Sequence, residues 1–296
     1  MTDALFDTPV TAPVAARGTW RRLLRSPGTL IPGAVLALLV IIALFPAFFA
    51  GFFGNPDPRV CDLGRSIAPP EAGHPFGFDV QGCDVYANVI YGTQSSIAVG
   101  VLTTVLALVV AVVLGVIAGT RGGWIDSLIS RLTDVFLGFP FLLGAIIVLN
   151  SLPERTVLTV SLVLAMFSWP LLARLMRGSV RATSQAEYVL AARTMGLSWW
   201  RVVTRYILPN SIAPVTVVAT IMIGSVIVSE SSLTYLGIGL QSPAISWGLQ
   251  LASASGQFQN SPHLLIFPAA FLAVTVLSII TLGDTLRSAL DPRRQN

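Results

Sequence analysis

The sequence contains no lysine, and only 11% of its 296 residues are charged. A soluble domain usually has about a quarter of its residues charged, because its surface faces water. Hydrophobic residues make up 54% of this chain. The shortage of charge excludes an ordinary soluble domain of this length and predicts a protein whose solvent is a lipid bilayer.

The missing lysine also limits the chemistry of the chain. The phosphate-binding loop G-x-x-x-x-G-K-S/T needs a lysine, so the chain is not expected to hydrolyse ATP, and no catalytic residue is predicted. Its 18 basic residues are all arginines, which stand in short stretches between long apolar runs. That pattern does not fit nucleic-acid binding, which needs a basic patch on a soluble face. His74 and His263 have no second ligand at metal-binding spacing, so no metal site is expected.

Long uncharged runs predict an all-α integral membrane protein with six transmembrane helices. A helix needs about 20 mostly apolar residues to cross the hydrocarbon. Five runs provide such helices, namely 30–53, 95–118, 157–173, 212–229 and 264–283. The sixth, 135–149, contains Pro140 and forms either a span that includes residues 132–134 or a re-entrant segment. Gly115 and Gly119 form a GxxxG pattern, which marks close helix packing or arises by chance.

The arginines orient the predicted spans. Six spans place fifteen arginines on one side and only Arg59, Arg65 and Arg155 on the other. Because loops rich in positive charge stay in the cytoplasm, both termini are predicted to be cytoplasmic in a multi-pass protein of the cell membrane. The predicted organisation is a cytoplasmic tail (1–29), a first transmembrane helix (30–53), an extracytoplasmic loop (54–94), a five-helix core (95–286) with a cytoplasmic loop at 174–211, and a cytoplasmic tail (287–296).

The cytoplasmic loop 174–211 has the pattern of a short helix followed by a turn. Ser184 and Glu187 fit a capping box, in which the serine caps the helix and the glutamate bonds back to it. Good helix formers follow, and Gly196 is placed to end the helix in a left-handed conformation.

A second helix is predicted from Ser198, its cap, to a break at Pro209 and Asn210. In the first helix, the small residues Ala191 and Ala192 would let another protein surface approach closely. The arginine that follows them would then donate charge-assisted hydrogen bonds to that surface. The alternative is an interfacial helix that lies on anionic lipid, and the residues alone do not choose between the two.

These residues resemble the signature of the permease subunits of type I ATP-binding cassette importers. In that signature a Glu-Ala-Ala triplet is followed after three residues by glycine, and nine residues later by Ile-x-Leu-Pro. Ala191, Ala192 and Gly196 match the first part, and Leu208 and Pro209 match its end.

Two positions depart from the signature. Leu190 stands where the family has glutamate, and Tyr206 stands where it has isoleucine, so a polar contact by that glutamate is not expected in this chain. The resemblance implies that the stretch 187–196 inserts into a cleft of a partner ATPase. The predicted coupling residues are Glu187, Leu190, Ala191, Ala192, Arg193, Gly196, Leu208 and Pro209.

Further segments resemble the dipeptide, oligopeptide and nickel permeases, in particular the subunit with a long first outer loop. These segments are 74–79, 82–85, 89–92, 187–189, 191–193, 207–210, 235–240 and 246–248. The resemblance implies a half-pore in the bilayer that works with a homologous second permease, two ATPases and an extracytoplasmic solute-binding protein. It also implies that ATP and Mg²⁺ bind to the ATPases and that this chain binds no cofactor directly.

The predicted function is therefore peptide import coupled to ATP hydrolysis by partner subunits. Import of a nickel chelate is the alternative within the family. A self-sufficient secondary carrier or channel is the alternative outside it, although such proteins need buried ionisable residues or broken helices at the midplane. A membrane scaffold would leave the coupling-type loop unexplained.

Four more residues are singled out by their position. Cys61 and Cys83, the only cysteines, fall in the first outer loop, where the compartment permits a disulfide. Two unpaired thiols are the alternative. Glu230 lies toward the outer end of the fifth span, shortly before Tyr235. We expect this pair to mark the pore or an outer gate, against the alternative of a solvated interfacial carboxylate.

Overall fold

The computed structural model describes residues 27–53 and 56–290, and within these ranges the regular elements are helices. The predicted tails 1–29 and 287–296 lie largely outside the described residues. In chain order the helices are α1 (Pro27–Leu44), α2 (Pro46–Ala50), α3 (Val85–Arg121), α4 (Gly123–Gly138), α5 (Phe141–Ser151), α6 (Val157–Ser184), α7 (Glu187–Thr194), α8 (Trp199–Val202), α9 (Leu208–Ser211), α10 (Ala213–Tyr235), α11 (Trp247–Ala254) and α12 (His263–Leu290).

The first apolar run forms two helices rather than one. Pro46 has no backbone N–H to continue the hydrogen-bond ladder of α1, so it opens α2 instead. α1 has 18 residues, a length of about 27 Å that is slightly less than the roughly 30 Å of the hydrocarbon core. α1 packs on α12 and α3 at the edge of the bundle.

α3 and α6 form the centre of the bundle and share its most extensive helix–helix contact. A Cβ atom on Gly115 would lie 2.6 Å from Met176 Cβ, and one on Gly119 would lie 2.7 Å from Val180 Cγ1. Real Cβ atoms do not approach other atoms this closely, so glycine is required for these helices to meet as they do. The GxxxG pattern therefore marks helix packing.

The third apolar run does not form a straight helix. α4 and α5 meet at an angle of 86°, with Phe139 and Pro140 between them. Pro140 cannot donate to the ladder of α4, and it serves as the residue that precedes α5. By length and composition, the pair is either one broken span or a re-entrant loop.

The number of spans is smaller than predicted if straight helices alone are counted. In the described residues four helices are long and apolar enough to cross a membrane, namely α3, α6, α10 and α12. The bent pair raises the number to five, and α1 is shorter than the others. The sixth span and the cytoplasmic side of the termini stay predictions.

A disulfide joins Cys61 to Cys83 in the first outer loop. The two residues also pair as an isolated antiparallel bridge. The side chain of Asp79 accepts hydrogen bonds from the backbone N–H groups of Gln81 and Cys83, at 2.8 and 2.9 Å. Burial raises the pKa of the Asp79 carboxyl, although these N–H groups act in the opposite direction. The loop is therefore held together by a covalent bond and by its own backbone.

We expect the native protein to have no thiol that reacts with an alkylating agent. The bridge spans 22 residues of sequence, and closing a loop of that size stabilises a fold by on the order of 3 kcal/mol in loop-entropy arguments. Intact mass after alkylation measures this directly. We expect no added label before reduction and two labels after it, whereas two labels on the unreduced protein would contradict the bridge.

Candidate coupling site and outer cleft

The short helix α7 exposes one face to solvent. It buries Val189 and Ala192 in the main hydrophobic core. On its other side Tyr188 is 47% exposed and Leu190 is 48% exposed, and Ala191 is exposed between these apolar side chains. Tyr188 and Leu190 are two positions apart, so they lie on opposite flanks of this exposed surface with Ala191 between them.

Charged residues stand at the two ends of α7. Glu187 is its first residue, where the helix dipole favours a carboxylate, and Arg193 lies in its last turn, where the dipole favours a cation. Both side chains are exposed. Neither forms an ion pair within the described part of the chain, whose ion pairs lie elsewhere.

The capping box predicted for α7 is wrong. Ser184 is the last residue of α6, and its buried hydroxyl has no hydrogen-bond partner in the described residues. α7 begins after Ala186, and no side chain caps it. α6 extends this far because Met176, Val180 and Ser184 follow one another at four-residue spacing and continue one buried face of the helix.

α7 ends in the predicted glycine turn. Gly196 has φ +77°, its N–H donates to Arg193 O at 3.0 Å, and the N–H of Leu197 donates to Ala192 O at 3.3 Å. These two bonds form a Schellman motif, which satisfies carbonyls at the helix end. A Cβ on Gly196 would meet no atom within 4 Å. The backbone conformation, not the available space, therefore favours glycine at this position.

The second half of the loop differs from the prediction. Ser198 occupies the cap position of α8, but its side chain makes no capping bond. Pro209 does not break the helix, because the chain continues from α8 through a π-helical turn (Val203–Ile207) into α9. The proline lies in the first turn of α9, where a missing N–H costs little. The helix is interrupted only at Ile212, before α10.

Two ion pairs join α4 to α6 near this loop. Arg177 forms a two-pronged contact with Asp126, in which Nη2 lies 2.7 Å from Oδ2. Arg174 Nη2 lies 2.5 Å from Asp134 Oδ1. The first pair is partly buried, with 32% and 15% of its side chains exposed. The second is open to solvent, with 56% and 51% exposed. Removal of one partner should therefore destabilise the fold more at the first pair than at the second.

Glu230 is buried, with 0% of its surface exposed. Its carboxyl oxygens accept hydrogen bonds from Thr234 Oγ1 at 2.8 Å and from Ser231 Oγ at 3.3 Å. This position contradicts the alternative of a solvated interfacial carboxylate. The role predicted for Glu230 and Tyr235 at a pore or outer gate stays a prediction. A polar group in a span avoids lipid by turning toward hydrogen-bond donors inside the protein. Tyr235 is 48% exposed, so it remains available at the surface.

An open cleft of about 690 Å³, here called the outer cleft, lies at the end of the bundle that is predicted to face outward. The segments 153–158 and 241–245 form much of its wall, and Arg59 and Arg155 also line it. Both arginines hold the second outer loop. Arg155 Nη1 donates to Gly237 O at 3.0 Å, and Arg59 Nη2 lies 3.4 Å from Pro243 O.

Nowhere in the described residues do three His, Cys, Asp or Glu side chains gather as a metal site would require.

Comparisons with known proteins agree with this arrangement. Residues 111–296 match the family described as "Binding-protein-dependent transport system inner membrane component". The glutathione transport system permease protein GsiD of Pectobacterium atrosepticum is 34% identical over 277 residues, which cover 94% of this chain and 91% of that protein. GsiD of Shigella flexneri serotype 5b is 37% identical over 274 residues, with 93% and 89% covered. This chain belongs to that family of importer permeases.

Solved structures share the fold of this permease. A superposition covers 69% of the permease and 94% of a chain from an amino acid ABC transporter crystallised with histidines, with a TM-score of 0.54 and 15% identity. Another covers 69% of the permease and 96% of a chain of the inward-facing MetNI methionine ABC transporter, with a TM-score of 0.53 and 16% identity. The type I importer fold is thus confirmed. With its several apolar helices, the permease is a multi-pass protein of the inner membrane.

Sequence reasoning places the coupling residues in the same loop of the permease but misses several polar partners. The predicted residues from Glu187 to Gly196 form α7 and its turn, and Leu208 and Pro209 lie in α9. The Thr234 donor to Glu230 had a signal, because side chains four residues apart on a helix are neighbours, whereas the Ser231 donor at the next position had none. No sequence signal indicated the ion pairs of Arg174 and Arg177, because their acidic partners belong to a different helix.

We expect Arg177→Gln to destabilise the permease more than Arg174→Gln. The first change leaves the partly buried Asp126 without its cation, at a cost of about 1–3 kcal/mol, whereas an exposed pair contributes about 0–1 kcal/mol. Thermal unfolding of the two variants in the same detergent measures the difference. Equal melting temperatures would mean that the partly buried pair stabilises the fold no more than the exposed pair does.

Proposed function

We propose that this permease forms half of a membrane pathway for short peptides, and that partner ATPases drive it through α7. One observation carries the first half of the proposal. Two relatives that match more than nine-tenths of this chain are glutathione transport permeases, and glutathione is a tripeptide. The cytoplasmic loop supports the second half, because α7 and its glycine turn have the spacing of the family's coupling signature.

The contact with an ATPase would involve the exposed face of α7. Tyr188 and Leu190 offer apolar contact area, and Ala191 lets another surface approach the helix backbone. Arg193 would add charge-assisted hydrogen bonds at the end of the helix. Because Leu190 replaces the glutamate of the family signature, the contact at this position would be apolar, and the matching surface of the ATPase should be apolar as well.

The working assembly would contain a homologous second permease, two ATPase subunits and an extracytoplasmic solute-binding protein. ATP and Mg²⁺ would bind to the ATPases. When the ATPases close around ATP, they would move α7, and α6 would carry the movement outward. α6 suits this role because it runs without a break from Val157, at the outer cleft, to Ser184, beside α7.

Uptake into vesicles that hold the complete assembly tests the substrate class. Labelled glutathione is offered with an excess of unlabelled dipeptide, tripeptide or nickel–histidine chelate, with and without ATP inside the vesicle. We expect the peptides to compete and uptake to depend on ATP. Competition by the nickel chelate alone would support the nickel alternative instead.

Gly196→Asp should uncouple ATP hydrolysis from uptake, because it adds a charge and a side chain at the end of the α7 surface. We expect uptake to fall at least about tenfold, the loss that about 1.4 kcal/mol of coupling free energy would cause. The matched control is Gly73→Asp on the outer side. Gly73 also has a positive φ, +88°, and no atom within 4 Å of its missing Cβ.

Both variants should insert into the membrane in normal amounts, since aspartate tolerates the left-handed conformation better than most residues. Uptake and ATP hydrolysis are measured on the same preparations. Uncoupling in both variants would point to backbone strain, and normal uptake by the Gly196 variant would mean that α7 does not carry the coupling.

A further inference from the structure

Glu230 contacts two elements that lie far apart along the permease chain. It belongs to the last turns of α10 and accepts hydrogen bonds from Thr234 and Ser231 in that helix. The hydroxyl of Ser246 lies close to its carboxyl as well. Ser246 is the cap of α11, where its hydroxyl oxygen accepts the N–H of Leu249 at 3.3 Å. This buried carboxyl at the end of α10 therefore lies beside the start of α11.

Thr234 extends this connection into the loop. While its hydroxyl donates to Glu230, the same oxygen accepts the backbone N–H of Leu240 at 3.0 Å. Leu240 and Ser246 are the two residues that flank the segment 241–245. Glu230 thus holds one end of this segment from inside the protein, through Thr234, and lies beside the other end at Ser246.

Two glycines let the backbone of the loop lie directly on this network. A Cβ on Gly239 would lie 2.1 Å from Thr234 Oγ1, and a Cβ on Gly248 would lie 2.9 Å from Ser231 Cα. Neither position has room for any side chain. The loop therefore packs against Thr234 and Ser231 in one close arrangement, which leaves the hydroxyl groups directed at Glu230.

α11 is fixed on its other side to α3. Trp247 is fully buried, and its indole N–H donates to Val89 O at 3.1 Å. The side chain of Gln250 donates to Asn88 O at 2.8 Å. Hydrogen bonds therefore link the end of α10 to Leu240 and link α11 to the outer part of α3, while α10 and α11 pack against each other.

We propose that Glu230 is a positioning residue that sets the wall of the outer cleft. The segment that it holds, 241–245, lines the cleft together with 153–158, and Gln241 N–H donates to Arg155 O at 3.3 Å. This inference rests on the proposed function, since a peptide that enters from outside meets this wall first. Glu230 acts through the position of the segment and touches no substrate itself.

Glu230 acts through its hydrogen-bonding shape and not through its charge. In the described residues it forms no ion pair, and its partners are hydroxyls, which donate or accept as needed. A glutamine accepts from Thr234 with its oxygen and donates to Ser231 or Ser246 with its amide. A residue that must lose or gain a proton during transport would not tolerate this replacement.

Glu230→Gln and Glu230→Ala separate these roles when the complete assembly is reconstituted in vesicles and supplied with glutathione. We expect the glutamine variant to stay within about twofold of the wild type in KM and in maximal uptake. The alanine variant should raise KM at least about tenfold, because buried donors and acceptors lose their partners. Its maximal uptake and basal ATP hydrolysis should change less than about threefold. Glu71→Ala, which removes a carboxyl from an exposed ion pair, is the matched control.

Hydrogen exchange gives a readout that does not depend on transport. In the alanine variant, amides in 236–249 should exchange about tenfold faster, while those of α3 and α6 near Gly115 stay unchanged. Thr234→Val is the second variant. It removes the one hydroxyl that joins Leu240 to Glu230 and leaves the carboxyl in place. Faster exchange should therefore be confined to the residues next to Leu240, and Thr234→Ser should restore protection. If the alanine variant does not accumulate in the membrane, the comparison of Thr234→Val with Thr234→Ser provides the test.

Three results would overturn the inference. These are a wild-type KM and wild-type exchange in the alanine variant, a glutamine variant as impaired as the alanine variant, and unchanged exchange near Leu240 in the valine variant. Each is judged against a wild-type assembly that takes up glutathione. A wild-type assembly without any ATP-dependent peptide uptake would instead contradict the proposed function, while the exchange results would still decide the role of Glu230.

Discussion

Hydrocarbon offers no hydrogen-bond partner, so each polar group that enters the bilayer must find one within the protein. This constraint explains where the permease is regular and where it is not. The long helices satisfy their own backbones, and hydroxyls such as that of Thr93 bond to the carbonyl one turn earlier, at 3.0 Å from Val89 O. Helix breaks fall at Pro46 and Pro140, which lack the N–H that a continuous ladder would need. Glu230 obeys the same constraint by gathering hydroxyl donors.

As a result of the same constraint, packed helices connect the outer cleft to the coupling loop. α6 runs from the outer cleft to the coupling loop and lies against α3 at the two glycines, where no side chain can slip between them. Two ion pairs join α4 to the half of α6 that leads into the coupling loop. On the outer side, Glu230 and the residues around it join α10 and α11 to α3. Movement of α7 would therefore reach the outer cleft through packed helices rather than through flexible loops.

Much of the fold was predictable because apolar length and arginine placement depend on the bilayer alone. Four of the six apolar runs, the glycine turn at Gly196 and the paired cysteines are placed by the structure as the sequence indicates, whereas the first and third runs break at Pro46 and Pro140. The failures have a common cause. Ser184 and Pro209 have the local chemistry of a helix cap and a helix breaker, but the buried face of α6 and the π-helical turn before α9 override them. The surroundings of Glu230 depend on residues sixteen positions apart, which no local pattern joins.

The central claim is that this chain is a passive half-pore that works only when ATPases act on its coupling helix. It is tested most directly by ATP-dependent glutathione uptake into vesicles that hold either this permease alone or this permease with its second permease, ATPases and binding protein. We predict no uptake by the chain alone and ATP-dependent uptake by the full assembly. Sustained uptake by the chain alone, independent of ATP, would contradict the claim and would identify a self-sufficient carrier or channel.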